Sequence, residues 1–155
     1  MSQLEINMEV TWKVEPFDKL TTAELYDIMH LRSEVFVLEQ QCLFLDLDHK
    51  DQYAHHLMGF QSNKLAAYTR LFNAGIMYQE ASIGRVVTAR FARNSGIGKK
   101  LMIQSIEELY ILFGKQPIRI GAQLYLKRFY ESFGFRQDSD MYLEDGIEHI
   151  EMLLK

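Results

Sequence analysis

The sequence predicts an α/β (α+β) fold: one domain spanning residues 1–155, with a mixed sheet flanked by helices. Three observations carry this. Short segments alternate apolar and polar residues, longer segments repeat apolar residues at helical spacing, and the order runs strand, helix, strands, helix, strand, helix, strands. Period-two alternation marks a half-buried strand, and a period near 3.6 marks an amphipathic helix. A mixed order of this kind builds layered α/β domains.

Met8, Val10, Trp12 and Val14 alternate with polar residues and read as the first strand. Thr21 and Glu24 form a capping box, in which hydroxyl and carboxylate each satisfy an unpaired backbone donor. Leu25, Ile28, Met29 and Phe36 then share a helical face. Periodicity fails from Gln40 to Asp51, which reads as a loop. His56–Phe60 and Leu65–Phe72 read as a hairpin joined through Ser62-Asn63-Lys64. Asn73–Gln79 connects to a strand over Ala81–Thr88, rich in β-branched residues. A glycine-containing turn at Arg93–Gly98 opens a helix with Met102, Ile106, Leu109 and Phe113 on one face. Gly114 is its C-terminal cap, and Pro117 follows. Ile118–Gly121 is a short strand. Leu126, Phe129, Tyr130 and Phe133 space a further helix, stopped by Gly134. Asp145-Gly146 predicts a closing hairpin.

Composition bounds the function. The 155 residues are 48% hydrophobic and 25% charged, with ten Phe and eight Tyr, enough for one cored domain. Net charge is −4, which argues against a general nucleic-acid binder. The single cysteine, Cys42, excludes an internal disulfide and fits a reducing, cytoplasmic compartment. Residues 1–10 lack the cationic and apolar regions of a signal peptide, and no apolar run reaches the ~18 residues of a membrane span. Charge is unevenly placed. Arg90, Arg93, Lys99 and Lys100 cluster without an acid, whereas Asp138 to Glu151 carries six acids and no Lys or Arg. Two solvated faces would account for this, and so would an anion site beside a cation site.

The stretch from Val86 to Gly98 is a strand, a turn of small residues and a helix start. A helix's first turn exposes unpaired N–H groups at the positive end of its dipole, which suits a phosphate. Gly96 and Gly98 let a phosphate approach the backbone, and Arg93 and Lys99 add positive charge. The spacing is neither a P-loop nor a dinucleotide fingerprint. Alone, Arg-x-x-Gly-x-Gly also fits a helix that merely starts after a flexible turn.

This segment, taken with Phe129-Tyr130-Glu131-Ser132-Phe133-Gly134-Phe135, resembles the GNAT superfamily of acyl-CoA N-acetyltransferases. The resemblance runs from about Trp12 to Met152. Leu31 to Cys42, Asp46-Leu47-Asp48, Gly121-Ala122-Gln123 and Glu144 to Ile150 resemble its bacterial ElaA-like branch. The resemblance implies a mostly antiparallel, twisted sheet and acetyl-CoA as co-substrate. Val86, Val87 and Thr88 match the strand that pairs with the pantetheine arm, with the Val87 N–H expected on the acetyl oxygen. Arg93, Asn94, Ser95, Gly96, Ile97 and Gly98 match the pyrophosphate loop. Tyr130 matches the tyrosine that protonates the departing thiolate. Gln123 replaces an asparagine that contacts the cofactor in many members. Ile118 stands where some members carry a glutamate base, so the base is unassigned. The acceptor is implied to be an amine, on a small molecule or a peptide, and a homodimer is left open.

In the implied reaction an amine attacks a thioester. A fixed backbone N–H stabilises the oxyanion, and a phenol, with an ordinary pKa of about 10, is protonated at pH 7 and able to donate. Tyr130 on its apolar face also reads as a core aromatic. An alkylamine with a pKa near 10.4 is neutral in only about one molecule in a few thousand at pH 7, so some group must take its proton. Glu39, Glu80, Glu144 and His149 qualify by type.

Other signals weigh less. Asp46 to Asp51 lacks the spacing of a calcium loop. His55 and His56 would point to opposite faces of a strand. Cys42 sits in no triad pattern. No metal is expected. The acids Glu34, Glu39, Asp46, Asp48 and Asp51, with the six between Asp138 and Glu151, predict an acidic field drawing in a cationic acceptor; pairing with Lys and Arg is the other reading. Two readings without acetyl transfer stay open: a non-catalytic acyl-CoA-binding regulatory domain, and a turn that binds another phosphate ligand.

Overall fold

In the computed structural model, which describes residues 9–155, eight strands form one sheet in the order β1-β2-β3-β4-β5-β8-β6, with β7 also paired to β8. The strands are β1 (Thr11–Pro16), β2 (His55–Gln61), β3 (Lys64–Phe72), β4 (Ala81–Thr88), β5 (Ile118–Gln123), β6 (Arg136–Gln137), β7 (Tyr142–Glu144) and β8 (Ile147–Leu154). The helices are α1 (Thr22–Arg32), α2 (Ile97–Phe113) and the short α3 (Lys127–Glu131). Of the residues assigned to the first strand, Met8 lies outside the described residues.

Every strand pairing is antiparallel except β4 with β5. That parallel ladder holds only Ala81 with Ile118 and Ser82 with Arg119. Past those two pairs the strands part, and the sheet opens into a V at their C-terminal ends. A bulge shapes the β4 side. Tyr68 faces Val87 and Arg70 faces Gly84, so Arg85 and Val86 together oppose Thr69. Arg85 has φ 51°, a left-handed backbone of the kind bulges adopt.

Two cores cover the two faces. On one, Leu101, Met102 and Leu109 of α2 pack with Ile120, Ala122, Ile150 and Met152, joined by Tyr130 and Phe135. On the other, Ile28 and Leu31 of α1, with Val35, pack on Met58, Tyr68 and Val87. The capping box of α1 is present, with Thr21 Oγ accepting from the Glu24 N–H at 3.0 Å and Glu24 accepting from the Thr21 N–H at 2.9 Å. The α-helix ends at Arg32 and widens into a π-helical stretch, Ser33–Glu39. The shift in period turns Val35 inward, where it is buried, and leaves Phe36 half-buried. Ser62-Asn63 and Asp145-Gly146 both have two positive φ angles, the backbone of type I′ hairpin turns.

The residues 40–51 form a loop fastened by charge. Arg32, fully buried, gives its Nε to Asp46 at 2.8 Å and its Nη1 to Asp51 at 2.6 Å. Arg70, 1% exposed, reaches Asp48 at 2.6 Å and Asp51 at 3.1 Å. Arg85, from the bulge, holds Asp46 at 2.7 Å. The expected acidic field is therefore corrected on this side: Asp46, Asp48 and Asp51 are spent on guanidiniums, because a buried charge persists only when paired. His56 is buried against Tyr68 Oη at 2.7 Å and the Asp51 carbonyl at 2.9 Å, whereas His55 packs on Phe113.

Candidate active site

The V between β4 and β5 contains a cleft of about 820 Å³. Among the residues singled out from sequence, Val86, Val87, Thr88, Arg93, Gly98, Gln123 and Tyr130 line it. Asn94, Ser95 and Gly96 form the turn at its rim. Ile97 is 3% exposed and belongs to the core.

Backbone direction on β4 follows from one bond. The Ala89 N–H donates to the Ala66 carbonyl at 2.8 Å, so that pair is hydrogen-bonded. Such pairs alternate along an antiparallel ladder, which makes Tyr68 with Val87 the next one. The Val87 N–H is thereby directed at β3, and the backbone groups that face the cleft are those of Val86 and Thr88. The Thr88 carbonyl agrees, since it accepts from Arg93 at 3.1 Å rather than from β3. By this alternation the N–H turned to the cleft is that of Val86, the second residue of the bulge, rather than that of Val87.

At the far end, α2 starts with Gly96 as N-cap, at φ 78°, and no side chain caps the N-terminal N–H groups. Asn94 is also left-handed, at φ 64°. Backbone of this kind turns N–H groups into an anion-sized concavity, and the helix dipole adds positive potential. A Cβ on Gly98 would meet only Phe129, at 3.9 Å, so this position opens onto free space. Arg93, partly exposed, is not free. Both of its terminal nitrogens hold the Glu39 carboxylate, one at 2.9 Å. That hydrogen bond keeps the Glu39 carboxyl below the usual carboxylate range, against a smaller effect of burial, so Glu39 is already spoken for as a base.

Tyr130 is 5% exposed, and burial pushes its hydroxyl up from the ordinary phenol value. It is therefore protonated at neutral pH. Its ring packs edge-on against Phe129 and Phe135, which fixes the hydroxyl at the cleft.

Strand alternation divides the cleft lining between the faces of the sheet. Ile118, Ile120 and Ala122 of β5, and Ile150 and Met152 of β8, face the α2 and α3 side with Tyr130. Gln123, Gly121 and His149 therefore lie on the opposite side. Gln123 pairs with Gln40 through two amide hydrogen bonds at 3.3 Å. The hydroxyls of Tyr78 and Tyr142 stand 3.1 and 3.3 Å from where a Gly121 Cβ would lie, so a larger residue there would press on both. Burial, then Tyr142 and nearby carboxylates, push the Tyr78 hydroxyl up to about 12. His149 is 8% exposed and lies 3.3 Å from Glu144. Glu80 does not line the cleft and is bound to Arg119 at 2.9 Å. Cys42 is buried, its thiol donating to the Asp145 carbonyl at 3.2 Å.

Sequence reasoning left the Glu144–His149 pair unranked and missed Tyr142 and Gly121. The Asp145-Gly146 turn carried a usable signal, because a two-residue hairpin there places Tyr142 opposite His149, as observed. Among the described residues no group of three or more His, Cys, Asp or Glu side chains could hold a metal ion, and no helix is long and apolar enough to cross a membrane.

The split sheet, the bulge and the glycine-led helix define a class: residues 24–155 match the family model for the acetyltransferase (GNAT) domain, and the chain belongs to that family. It is 34% identical over 145 residues to Protein ElaA of Escherichia coli, covering 92% of this chain and 95% of that one. It is 42% identical over 151 residues to UPF0039 protein C11D3.02c of Schizosaccharomyces pombe, covering 96% and 98%. Among solved structures, an acyl-CoA N-acyltransferase from Pseudomonas aeruginosa superposes with a TM-score of 0.90 at 36% identity, over 95% of this chain and all of that one. The crystal structure of Escherichia coli ElaA gives 0.88 at 32% identity, again over 95% and 100%.

Proposed function

We propose that this protein is a cytoplasmic N-acetyltransferase, a single domain over residues 1–155, that passes an acetyl group from acetyl-CoA to an amine on a small molecule or peptide. The observation that carries the reading is the cleft itself. At one end lies an uncapped helix start led by Gly96 and Gly98; along its wall, β4 has no partner on the β5 side beyond Ser82; the protonated Tyr130 is among the residues that line it.

The residues present fit such a co-substrate. The N–H groups of Asn94 to Gly98 would take the pyrophosphate, where a Gly98 side chain would intrude. The backbone of Val86 and Thr88, which β5 does not pair, would bond to an extended amide-bearing arm, with the Thr88 carbonyl already accepting from Arg93 at 3.1 Å. Gln123 stands on the opposite wall. The co-substrate supplies an activated acyl carbon; the protein supplies position and charge. The Val86 N–H stabilises negative charge on the acyl oxygen, and it does so without reorganising because the β4 backbone is fixed. Tyr130 hands its proton to the departing sulfur. A thiol's ordinary pKa is about 8.5, well below that of the buried phenol, so Tyr130 regains its proton readily from water afterwards.

The test is release of free thiol from acetyl-CoA across a panel of primary amines, followed with a thiol-reactive dye. Amine-dependent release with formation of the acetylamide is expected. Coenzyme A binding by calorimetry with no release for any amine would favour the regulatory-domain reading.

A further inference from the structure

The amine must shed a proton, and the family resemblance names no residue for it. We propose that Nε2 of His149, backed by the Glu144 carboxylate, accepts that proton. The inference rests on the acetyltransferase reading above and deepens it.

Position comes first. Tyr130 and His149 line one cleft from opposite faces of the sheet, because Ile150, the neighbour of His149, points to the Tyr130 side. A donor of protons for the leaving sulfur and an acceptor of protons from the incoming nitrogen are needed on opposite sides of the reacting carbon, and residues on opposite faces of the sheet meet that need. The other bases named by type are committed elsewhere. Glu39 holds Arg93, and Glu80 holds Arg119 outside the cleft.

The tautomer follows from one contact. His149 Nδ1 lies 2.8 Å from the Ile147 carbonyl oxygen. A carbonyl can only accept, so Nδ1 carries the proton in the neutral ring and the lone pair sits on Nε2. Glu144 Oε2 is 3.3 Å from Nε2, an ion-pair distance that sets a carboxylate beside this nitrogen. The Tyr142 ring stacks on the imidazole at 5.8 Å and 26° and holds its plane. The other charged or titratable groups around this strand face are Glu151, which binds Arg119 at 3.3 Å, Tyr78, Asp145 and the Cys42 thiol. Glu144, 60% exposed, is thus a positioning residue that stands beside Nε2, and no cation is placed against it among these contacts.

An alkylammonium gives one proton to Nε2. The freed nitrogen lone pair forms a C–N bond to the thioester carbon, and the carbonyl electron pair moves to oxygen. That pair returns as the C–S bond breaks, leaving its electrons on sulfur, which takes the Tyr130 proton. The second nitrogen proton passes through water to restore Tyr130, and His149 releases its proton to solvent. Amide, thiol and one proton result.

His149→Gln tests this, with coenzyme A affinity by calorimetry as the check on fold and site. With the best amine at pH 7, kcat should fall about 10²-fold, within the usual range for general base catalysis, while coenzyme A affinity holds. The loss should shrink as pH rises toward the amine's own pKa, and added imidazole should restore part of the rate to His149→Ala. Glu144→Gln, on the surface, should cost about 5–10-fold in kcat with an unchanged KM for acetyl-CoA. Independently of turnover, long-range 1H–15N spectra should place the neutral His149 proton on Nδ1. A proton found on Nε2, or both variants within twofold of wild type at pH 7, overturns the assignment. Should wild type release no thiol with any amine, the acetyltransferase reading falls as a whole.

Discussion

Asp51 is the keystone of the buried charge network, and its loss has a calculable cost. Its Oδ1 accepts from Arg32 at 2.6 Å and from Arg70 at 3.1 Å, and both guanidiniums are at most 1% exposed. Asp51→Ala leaves each arginine one carboxylate, Asp46 or Asp48, and strands positive charge in the interior. Removing one partner of a buried pair costs about 3–5 kcal/mol, a large part of the roughly 5–15 kcal/mol that holds a domain together. At about 2–4 °C per kcal/mol for a chain of this size, Tm should fall by about 6–20 °C. Asp51→Asn keeps an acceptor but no charge and should cost about 1.5–3 kcal/mol. Urea unfolding followed by the fluorescence of Trp12, the single tryptophan, measures both. The pH dependence gives a second check. Burial raises the Asp51 pKa, but the hydrogen bond from Arg32 and the charges of Arg32 and Arg70 outweigh it, so the folded value is depressed. The stabilisation is therefore complete above the unfolded carboxyl value of about 3.9 and is lost as pH falls through the folded value. The gap between wild type and Asp51→Ala should be constant from neutral pH to about pH 5 and close in more acid solution. A loss under 1 kcal/mol, or a gap that does not change in acid, refutes the network as the clamp of residues 40–51.

Three other outcomes are expected. Gly98→Glu should fold, since a Cβ there touches only Phe129, yet lose coenzyme A binding through repulsion at the helix start; unchanged affinity by calorimetry would remove the pyrophosphate assignment. Tyr130→Phe should lower kcat by about 10²-fold with little change in acetyl-CoA affinity, and a fully active variant would mean that water protonates the sulfur. Gly59→Ala should cost about 1–3 kcal/mol in urea unfolding and alter the near-ultraviolet dichroism, because its Cβ would stand 2.6 Å from the Trp12 ring; an unchanged spectrum and stability would show that the indole moves freely.

Local chemistry was legible in the sequence where it decides structure by itself. Thr21 with Glu24 and Asp145 with Gly146 specify a cap and a turn within four residues, and both form as expected. Ser62-Asn63 likewise makes the β2–β3 turn, with Lys64 already in the strand. Long-range facts were not legible. An arginine in helical sequence reads as solvated, and nothing near Arg32 announces that Asp46 and Asp51 will meet it in the interior. Phe36 was placed by a 3.6 period that the π-helical stretch abandons. The helix expected over Leu126–Phe133 shrinks to Lys127–Glu131, preceded by a 3-10 turn at Leu124–Leu126. Its aromatic side chains are held by tertiary packing rather than by helix length. Arg136–Gln137 was not foreseen as a strand, because both residues are exposed at the sheet margin and show no alternation. At the candidate site, the glycine turn and Tyr130 were visible as types and spacings. The direction of each N–H on β4 needed the ladder, since a one-residue bulge reverses it.

Because β4 and β5 separate after two pairs, this sheet has four edges rather than two. An edge strand is a hazard in an ordinary protein, since its unpaired backbone is a template for another molecule's strand. Here the two extra edges face each other within the fold, and the end of the π-helical stretch is tied to the segment after β4 through Glu39–Arg93 and to the end of β5 through Gln40–Gln123. A neighbouring protein's sheet cannot stack onto them, so the fold keeps a length of unsatisfied backbone without inviting aggregation. Whatever completes that backbone must be slender enough to lie in single file, and the gap sorts visitors by width before any side chain reads their chemistry.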